Sequence, residues 1–146
     1  MKRFHYTLEH LLSLRLYAER EAEMEMAGII ARRSSLENDR KQLLDARSEP
    51  FARNGRLDLG LEQARGYYRM RLDRDLARLR DELESVESEL EAARAKFTEK
   101  RRSREVLERL RRLREDRHYS LERKREESEM NDLIGSRAVR SRSGGL

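Results

Sequence analysis

Apolar residues recur at steps of three and four along most of this chain, and the pattern is clearest in its second half. From residue 72 the two steps alternate without a break through Leu72, Leu76, Leu79, Leu83, Val86, Leu90, Ala93 and Phe97. An apolar stripe that repeats every seven residues is typical of a helix packed against another helix. The sequence therefore predicts a coiled-coil helix over this stretch.

A weaker seam runs through the first half of the chain. One row of positions falls seven residues apart: Leu8, Arg15, Ala22, Ile29, Leu36 and Leu43. Two further apolar residues, Leu12 and Met26, lie four positions after Leu8 and Ala22. A basic residue interrupts this stripe, so both halves present a seam but the second seam is the stronger.

The segment between the seams, SEPFARNGRLDLG, carries several turn signals. The ring of Pro50 clashes with a preceding helical turn, and Asn54-Gly55 readily adopts positive φ. The carboxylate of Asp58 can accept hydrogen bonds from the free amides of a new helix. The segment therefore predicts a bend between two helices.

Together these patterns predict an all-α fold in which two long helices form an antiparallel coiled-coil hairpin. The first helix is placed at about residues 7–48, the bend at about 49–60 and the second helix at about 60–134, within a single domain, 1–134. At 1.5 Å per residue the helices span roughly 60 Å and roughly 110 Å. The second helix should therefore project beyond the first, from about Arg111 onward.

The seams determine the register of this hairpin only in part. Pairs whose residue numbers add to about 115 align Leu43 with Leu72 and Ile29 with Val86, and a slip of one heptad fits as well. In either register the projecting end lacks an intramolecular partner for its apolar residues, so self-association or local instability is expected there. These residues are Leu113, Leu121, Leu133 and Ile134.

The first residues of the chain favour a fixed helix start. Thr7 precedes a leucine cluster and can cap the first helix, while Tyr6 can pack on Leu11 as a hydrophobic staple. Phe4 then remains outside as an anchor for a partner. Charged and polar residues break the leucine cluster, so neither a membrane anchor nor a cleaved signal peptide is expected.

The composition agrees with extended helices rather than with a globular core. Charged residues make up 43% of the chain and aromatic residues 5%, with one proline and no tryptophan or cysteine. Such a chain has too little bulky apolar material for a large compact core. The lack of cysteine excludes disulfides and thiolate chemistry and agrees with a cytosolic protein. No apolar run approaches the roughly 18 residues of a membrane span, so no direct membrane insertion is expected.

The net charge of +5 is concentrated at the C-terminus. Acids and bases nearly cancel through residue 134, whereas residues 135–146, predicted to be a disordered basic tail, carry three arginines and no acid. Within the second helix, residues 81–91 hold six acids and no base, and residues 94–114 hold ten bases and three acids. Such blocks are usual for solvated faces, and a docking surface is the alternative interpretation.

The sequence contains no pattern that indicates a catalytic, metal-binding or cofactor-binding site. His5, His10 and His118 lack the spacing of metal ligands. The turn segment lacks the Gly-Lys-Ser/Thr ending of a phosphate loop. A catalytic carboxylate needs a pocket that alters its proton affinity, and a two-helix coil offers almost none. The chain is therefore predicted not to be an enzyme and to need no cofactor.

Two end motifs resemble those of FliJ-type flagellar export proteins. The opening FHYTLEHLLSLR (residues 4–15), followed by an acid- and alanine-containing helix, is similar to the N-terminal signature of that family. The closing EESEMND (residues 126–132) is similar to the family's final motif, although Asn131 and Asp132 replace its usual Asp-Glu pair. In length and hairpin layout the resemblance covers essentially the whole chain.

The resemblance implies a specific role. Members of this family are small cytoplasmic coiled coils similar to the central stalk of rotary ATPases. They bind the hexameric export ATPase of the flagellar type III secretion apparatus, promote its ring assembly and link it to the membrane export gate. They have also been described as export chaperones, so export substrates or their chaperones are further expected partners. The resemblance also implies a place at the cytoplasmic face of the inner membrane, at the flagellar base, and a part in motility and chemotaxis.

The same resemblance assigns two candidate interaction sites. The open end of the hairpin would bind the ATPase through apolar and basic residues: Phe4, Leu8, Leu12, Arg15, Arg101, Arg102, Arg104, Arg111 and Arg112. The region beside the bend would face the export gate: Leu43, Ala46, Tyr68 and Leu72. Tyrosines in such a position also commonly close the end of a coil, so the gate assignment has a structural alternative.

Three other functions are compatible with parts of the sequence. A cytosolic coiled-coil adaptor unrelated to secretion and the equivalent stalk of a virulence-type injectisome share the predicted architecture. Nucleic-acid binding through the arginine-rich blocks is disfavoured, because acids nearly cancel the bases and no stacking aromatics interleave with the basic stretch. The end motifs favour the flagellar protein over these alternatives.

Overall fold

Nearly all described residues of the protein are helical. The structure, a computed structural model, describes residues 2–49 and 59–145. Within these ranges it contains two helices, α1 (Glu9–Ser48) and α2 (Leu59–Ser143), and no strand. The predicted all-α class with a longer second helix is confirmed. Among the described residues, no helix combines the length and apolarity needed to cross a membrane. Outside the described residues lie the signals that predict the bend: Pro50, Asn54-Gly55 and Asp58.

The chain divides into two compact units. Unit 1 comprises residues 1–17 and 101–146, and unit 2 comprises residues 18–100. In each unit a stretch from the first part of the chain lies antiparallel to a stretch of α2, which is the pairing that the predicted hairpin requires. The extent of the single predicted domain, 1–134, stays a prediction.

The apolar seam of α2 supplies most of the core of unit 2. Leu72, Val86, Leu90 and Ala93 are buried, and Ala22 of α1 is buried as well. The steps of three, four and fourteen residues between the α2 members are those of a heptad pattern, so a single narrow stripe of the helix is buried. Because only this stripe leaves water, the remaining faces of the helices can carry the high charge of the sequence.

Ion pairs between α1 and α2 flank this core. They join Arg47 to Asp73, Arg33 to Glu87, Arg32 to Glu89 and Lys96 to Glu25, at 2.7 to 3.2 Å. In these pairs the two residue numbers add to 120 or 121, which is five or six more than in the preferred pairing and one or two less than in the pairing slipped by one heptad. The structure therefore lies close to the slipped register, which fits the apolar seams as well. The physical reason is that repeating apolar seams fit each other in several registers that differ by whole heptads.

Lys96 shows what such a pair contributes. Its ammonium group donates a hydrogen bond to the Glu25 carboxylate at 2.7 Å. This hydrogen bond raises the pKa of Lys96 above its ordinary value, and the negative charges of Glu25 and Glu21 act in the same direction. Both paired side chains are about half exposed, so the contribution of the pair to stability is small. The pair therefore shows which residues of α1 and α2 lie side by side.

The C-terminal end of α2 differs from the sequence-based prediction. Residues 135–143 are helical, whereas the composition predicts a disordered tail from residue 135. The hydroxyls of Ser136, Ser141 and Ser143 each donate to the carbonyl three residues earlier, at 2.9 to 3.1 Å. No proline interrupts this stretch, so the helix propagates from the turns before it.

The apolar residues of α2 that were expected to lack an intramolecular partner are exposed. They are Leu113, Leu121, Leu133 and Ile134. Every described residue from 123 onward is likewise exposed, so this end of α2 has no packed core of its own.

Candidate functional site

Residues 2–8, which precede α1 and which we call the N-terminal segment, lie along α2 in unit 1. The Nε2 atom of His118 lies 3.0 Å from the carbonyl oxygen of Lys2. The main-chain amide of Lys2 donates to the Glu122 carboxylate at 3.5 Å. The ring of Phe4 packs against the His118 ring with 5.6 Å between centroids. Phe4 is therefore half-buried against the protein's own helix, rather than free as an anchor for a partner.

Tyr6 is the buried anchor of this segment. Its side chain is 4% exposed, and its hydroxyl donates to the main-chain carbonyl of Leu107 at 3.2 Å. The guanidinium of Arg114 lies 5.9 Å from the Tyr6 ring centroid and donates to the Thr7 hydroxyl at 3.4 Å. A buried phenol needs a hydrogen-bond partner, and α2 supplies one without losing its own helical bonds, because a carbonyl has two lone pairs.

The start of α1 differs from the predicted staple and cap. The helix begins at Glu9, whose amide donates to the carbonyl of Tyr6 at 3.1 Å. Tyr6 reaches across to α2 instead of packing along its own helix on Leu11, and the Thr7 hydroxyl accepts from an arginine of α2. The acidic side chain of Glu9 in the first turn complements the helix dipole.

The arginines predicted to bind the ATPase fall into two groups. One group forms ion pairs inside unit 1, at 2.7 to 3.2 Å: Arg101 with Glu105, Arg104 with Glu108 and Arg111 with Glu9. The other group is exposed, and within the described residues no ion pair to it is found: Arg15, Arg102 and Arg112. Within the described residues, only the second group offers guanidinium groups that are not already engaged by a carboxylate.

Two of the paired arginines also belong to the seam of unit 1. Arg104, Leu107 and Arg111 follow one another at steps of three and four on α2, and all three are half-buried. The aliphatic stems of arginine can cover apolar surface while the guanidinium group stays near water. Arg111 lines a groove of about 340 Å³ together with the N-terminal segment, and its buried Nε has no hydrogen-bond partner among the described residues.

The apolar residues of the predicted ATPase site contribute to the packing of unit 1. Leu12 is buried, and Phe4 and Leu8 are half-buried. All nine residues predicted for this site lie in unit 1, so the structure brings them into one compact unit. Leu12 is not accessible to a partner in this conformation.

Comparison with known proteins decides the family. A family model described as flagellar FliJ protein matches residues 4–144, which include both end motifs. The chain belongs to the FliJ family. It is therefore a protein associated with flagellar export, and the resemblance carried by the end motifs is confirmed. No significant match was found among curated proteins or among solved structures.

The FliJ assignment also bears on the chemistry of the site. FliJ-family proteins are non-catalytic components of flagellar export. Among the described residues, no group of three or more His, Cys, Asp or Glu side chains could hold a metal ion.

The residues predicted for the export gate lie in unit 2 of this FliJ-family chain. Leu72 is buried, with 5% exposure, and therefore belongs to the core. Leu43 and Ala46 are half-buried, while Tyr68 is 44% exposed. Of the four, Tyr68 presents the largest accessible side chain to a partner.

A groove of about 850 Å³ adjoins this region in unit 2. Leu43 lines it together with residues of α2 that the prediction did not include: Tyr67, Met70, Arg71 and Arg74. These four residues follow one another at steps of three, one and three, so they share one face of the helix. Their helical spacing was available in the sequence, and aromatic, methionine and arginine side chains are those enriched at protein interfaces.

Sequence reasoning also missed two residues that hold the N-terminal segment in place. His118 and Arg114 contact this segment in unit 1. Nothing in the heptad pattern indicates that a non-helical segment covers this part of α2. Only the tertiary structure shows these contacts.

Proposed function

We propose that this chain binds the hexameric flagellar export ATPase as a coiled coil resembling a central stalk, promotes the assembly and activity of the ring, and links it to the export gate. The observation that carries this proposal is the match to the FliJ family over residues 4–144. Such a protein acts at the cytoplasmic face of the inner membrane and assists the export of flagellar proteins without catalysing a reaction itself.

A mixed basic and apolar face of α2 supports the contact with the ATPase. Arg102, Val106, Arg109 and Leu113 follow one another at steps of four, three and four, so they lie on one side of the helix. All four are exposed in unit 1, and we call them the basic face. Arginine beside apolar side chains is the combination enriched in protein interfaces, and the charge also steers association with acidic partners.

Charge reversal on the basic face is the test of this contact. The double variant Arg102→Glu/Arg109→Glu should bind the export ATPase at least about tenfold more weakly, because four units of charge change where acidic groups of the partner are expected. Weaker binding should also reduce stimulation of the ATPase. This is measured as the rate of ATP hydrolysis by the purified ATPase while the variant is titrated in. Far-ultraviolet circular dichroism should show unchanged helicity, since both side chains are exposed.

A matched control places the same charge change elsewhere. Arg40→Glu/Lys41→Glu alters two exposed positions of α1 in unit 2 and should leave stimulation of the ATPase unchanged. An equal loss in both double variants would show a general effect of net charge. Full stimulation by the Arg102→Glu/Arg109→Glu variant would refute the role of the basic face.

The proposed contact with the export gate uses the accessible residues of unit 2. Tyr68 is the principal contact, with Leu43 and Ala46 contributing the parts of their side chains that remain exposed. Leu72 supports this surface from within the core, because it is buried. The neighbouring groove lined by Tyr67 and other residues extends the same surface.

Truncation of Tyr68 separates binding from stability. Tyr68→Ala should weaken binding to the cytoplasmic domain of the export gate roughly tenfold, as removal of a central interface tyrosine does, and should lower the Tm less than Leu72→Ala does. Leu72→Ala should instead lower the Tm, because it empties a core position. Isothermal titration calorimetry and thermal unfolding measure the two effects.

Tyr17→Ala provides the matched control for this variant. It removes an exposed tyrosine from unit 1 and should not affect binding to the gate. Equal affinities of the Tyr68→Ala and Tyr17→Ala variants for the gate domain would contradict the assignment.

A further inference from the structure

The groove of about 850 Å³ in unit 2 combines apolar side chains with arginines. Tyr67 and Met70 line it and are 65% and 61% exposed. Leu43 of α1 and Leu79 of α2, both half-buried, line it as well. Large apolar side chains that lie together on a surface among polar residues are typical of a protein contact. The groove therefore offers apolar surface for a partner to cover.

Two arginines of this groove have no carboxylate partner within the described residues. They are Arg71 and Arg74, and both are exposed. The third arginine, Arg78, lies 4.0 Å from Asp75, and Asp39 is the remaining acid of the lining. By contrast, arginines beside the core of unit 2 pair with carboxylates of the other helix. The groove therefore has an excess of positive charge, which a partner that carries carboxylates would match.

The spacing of the lining residues indicates the shape of that partner. Four of them follow one another along α2 at steps of four, three and four: Tyr67, Arg71, Arg74 and Arg78. They therefore lie along one side of the helix over about 16 Å. A helix of about three turns has this length and presents its own side chains at the same steps. An amphipathic helix laid along α2 can thus contact all four residues.

We propose that this groove binds an acidic amphipathic helix of the export gate. Apolar side chains of that helix pack on Tyr67 and Met70, and its carboxylates pair with Arg71 and Arg74. The inference rests on the proposed gate contact, for which it specifies the chemistry of the partner segment. A single-stranded nucleic acid also binds aromatic rings and arginines, but Asp39 and the other acid of the groove would repel its continuous row of phosphates. A peptide can place its carboxylates only where the arginines lie.

A pair of synthetic peptides tests this chemistry in the full-length protein. Both have three heptads with leucine at the first and fourth positions, and they differ only in carrying glutamate or lysine at the flanking positions. The wild-type protein should bind the glutamate peptide at least about tenfold more tightly than the lysine peptide. The variant Arg71→Glu/Arg74→Glu should reverse this preference, because its charges match lysine. Fluorescence anisotropy of the labelled peptides measures all four affinities.

A matched control places the same charge change outside the groove. Arg80→Glu/Arg94→Glu alters two exposed arginines of α2 in unit 2 that do not line it, and the affinity for the glutamate peptide should stay within about twofold of wild type. Equal losses in the two double variants would overturn the proposal, as would equal binding of the two peptides by the wild-type protein. Tighter binding of an oligouridylate than of the glutamate peptide, lost in Arg71→Glu/Arg74→Glu, would assign the groove to nucleic acid and overturn it too.

The chemistry of the groove and the gate contact fail in different measurements. The Arg71→Glu/Arg74→Glu variant should also bind the cytoplasmic domain of the export gate at least about tenfold more weakly, as isothermal titration calorimetry measures. An unchanged affinity for the gate domain, beside the expected peptide preference, would overturn the assignment of the helix to the gate. Weaker gate binding without a peptide preference would instead overturn the acidic helix and leave the gate contact standing.

Discussion

Replacing Leu90 by alanine should lower the free energy of unfolding by about 2–4 kcal/mol. Leu90 has no exposed surface and lies in the apolar seam of α2 in unit 2. A two-helix core has few layers, so neighbouring layers supply little material to refill the cavity left by the leucine. Urea unfolding followed by circular dichroism at 222 nm measures the change as a lower midpoint with a similar slope.

Leu44→Ala is the matched control for this substitution. Leu44 is a residue of α1 in unit 2 and is 43% exposed, so its truncation removes the same atoms from a position that still contacts water. The cost there should stay below about 1 kcal/mol, partly because alanine favours the helix more than leucine does. Equal midpoints for the two variants would mean that the seam of α2 does not form the core.

The seam around Leu90 could be predicted from the sequence because its spacing is purely local. Leu72, Val86, Leu90 and Ala93 all belong to the predicted stripe, and the structure buries them. The register could not be derived in the same way, because a heptad pattern is unchanged by a shift of seven residues. Pairs such as Arg33 with Glu87 identify the register, and such pairs are recognisable only once the helices are placed side by side.

The residues of the candidate ATPase site lie together in unit 1, and their binding to the ATPase stays a prediction. The nine residues gather there because the antiparallel arrangement brings the two segments together. Which arginines remain available depends on carboxylates that the linear pattern does not single out, such as Glu9 beside Arg111. The basic face around Arg102 and Arg109 is visible in the spacing only after the buried face of α2 is known.

Replacing Tyr6 by alanine should have the largest effect on the N-terminal segment. The ring is buried, and its hydroxyl hydrogen-bonds to the main chain of α2, so the substitution removes a large apolar contact together with a hydrogen bond. Truncation of an aromatic side chain in a core costs about 3–5 kcal/mol. The remaining contacts of this short segment with α2 are too few to offset that loss. The segment should therefore detach from α2, and the first turns of α1 should fray.

Hydrogen exchange at two amides reports this detachment directly. The Glu9 amide donates to the Tyr6 carbonyl and the Leu12 amide donates to the Leu8 carbonyl, so both should lose protection in the Tyr6→Ala variant. Tyr6→Phe keeps the ring and loses only the hydroxyl, which should cost about 1 kcal/mol and preserve most of the protection. Tyr17→Ala removes an exposed ring from the same unit and should change neither amide. If Tyr6→Ala behaved like Tyr17→Ala, the segment would be held by its main-chain contacts to His118 and Glu122 rather than by the buried ring.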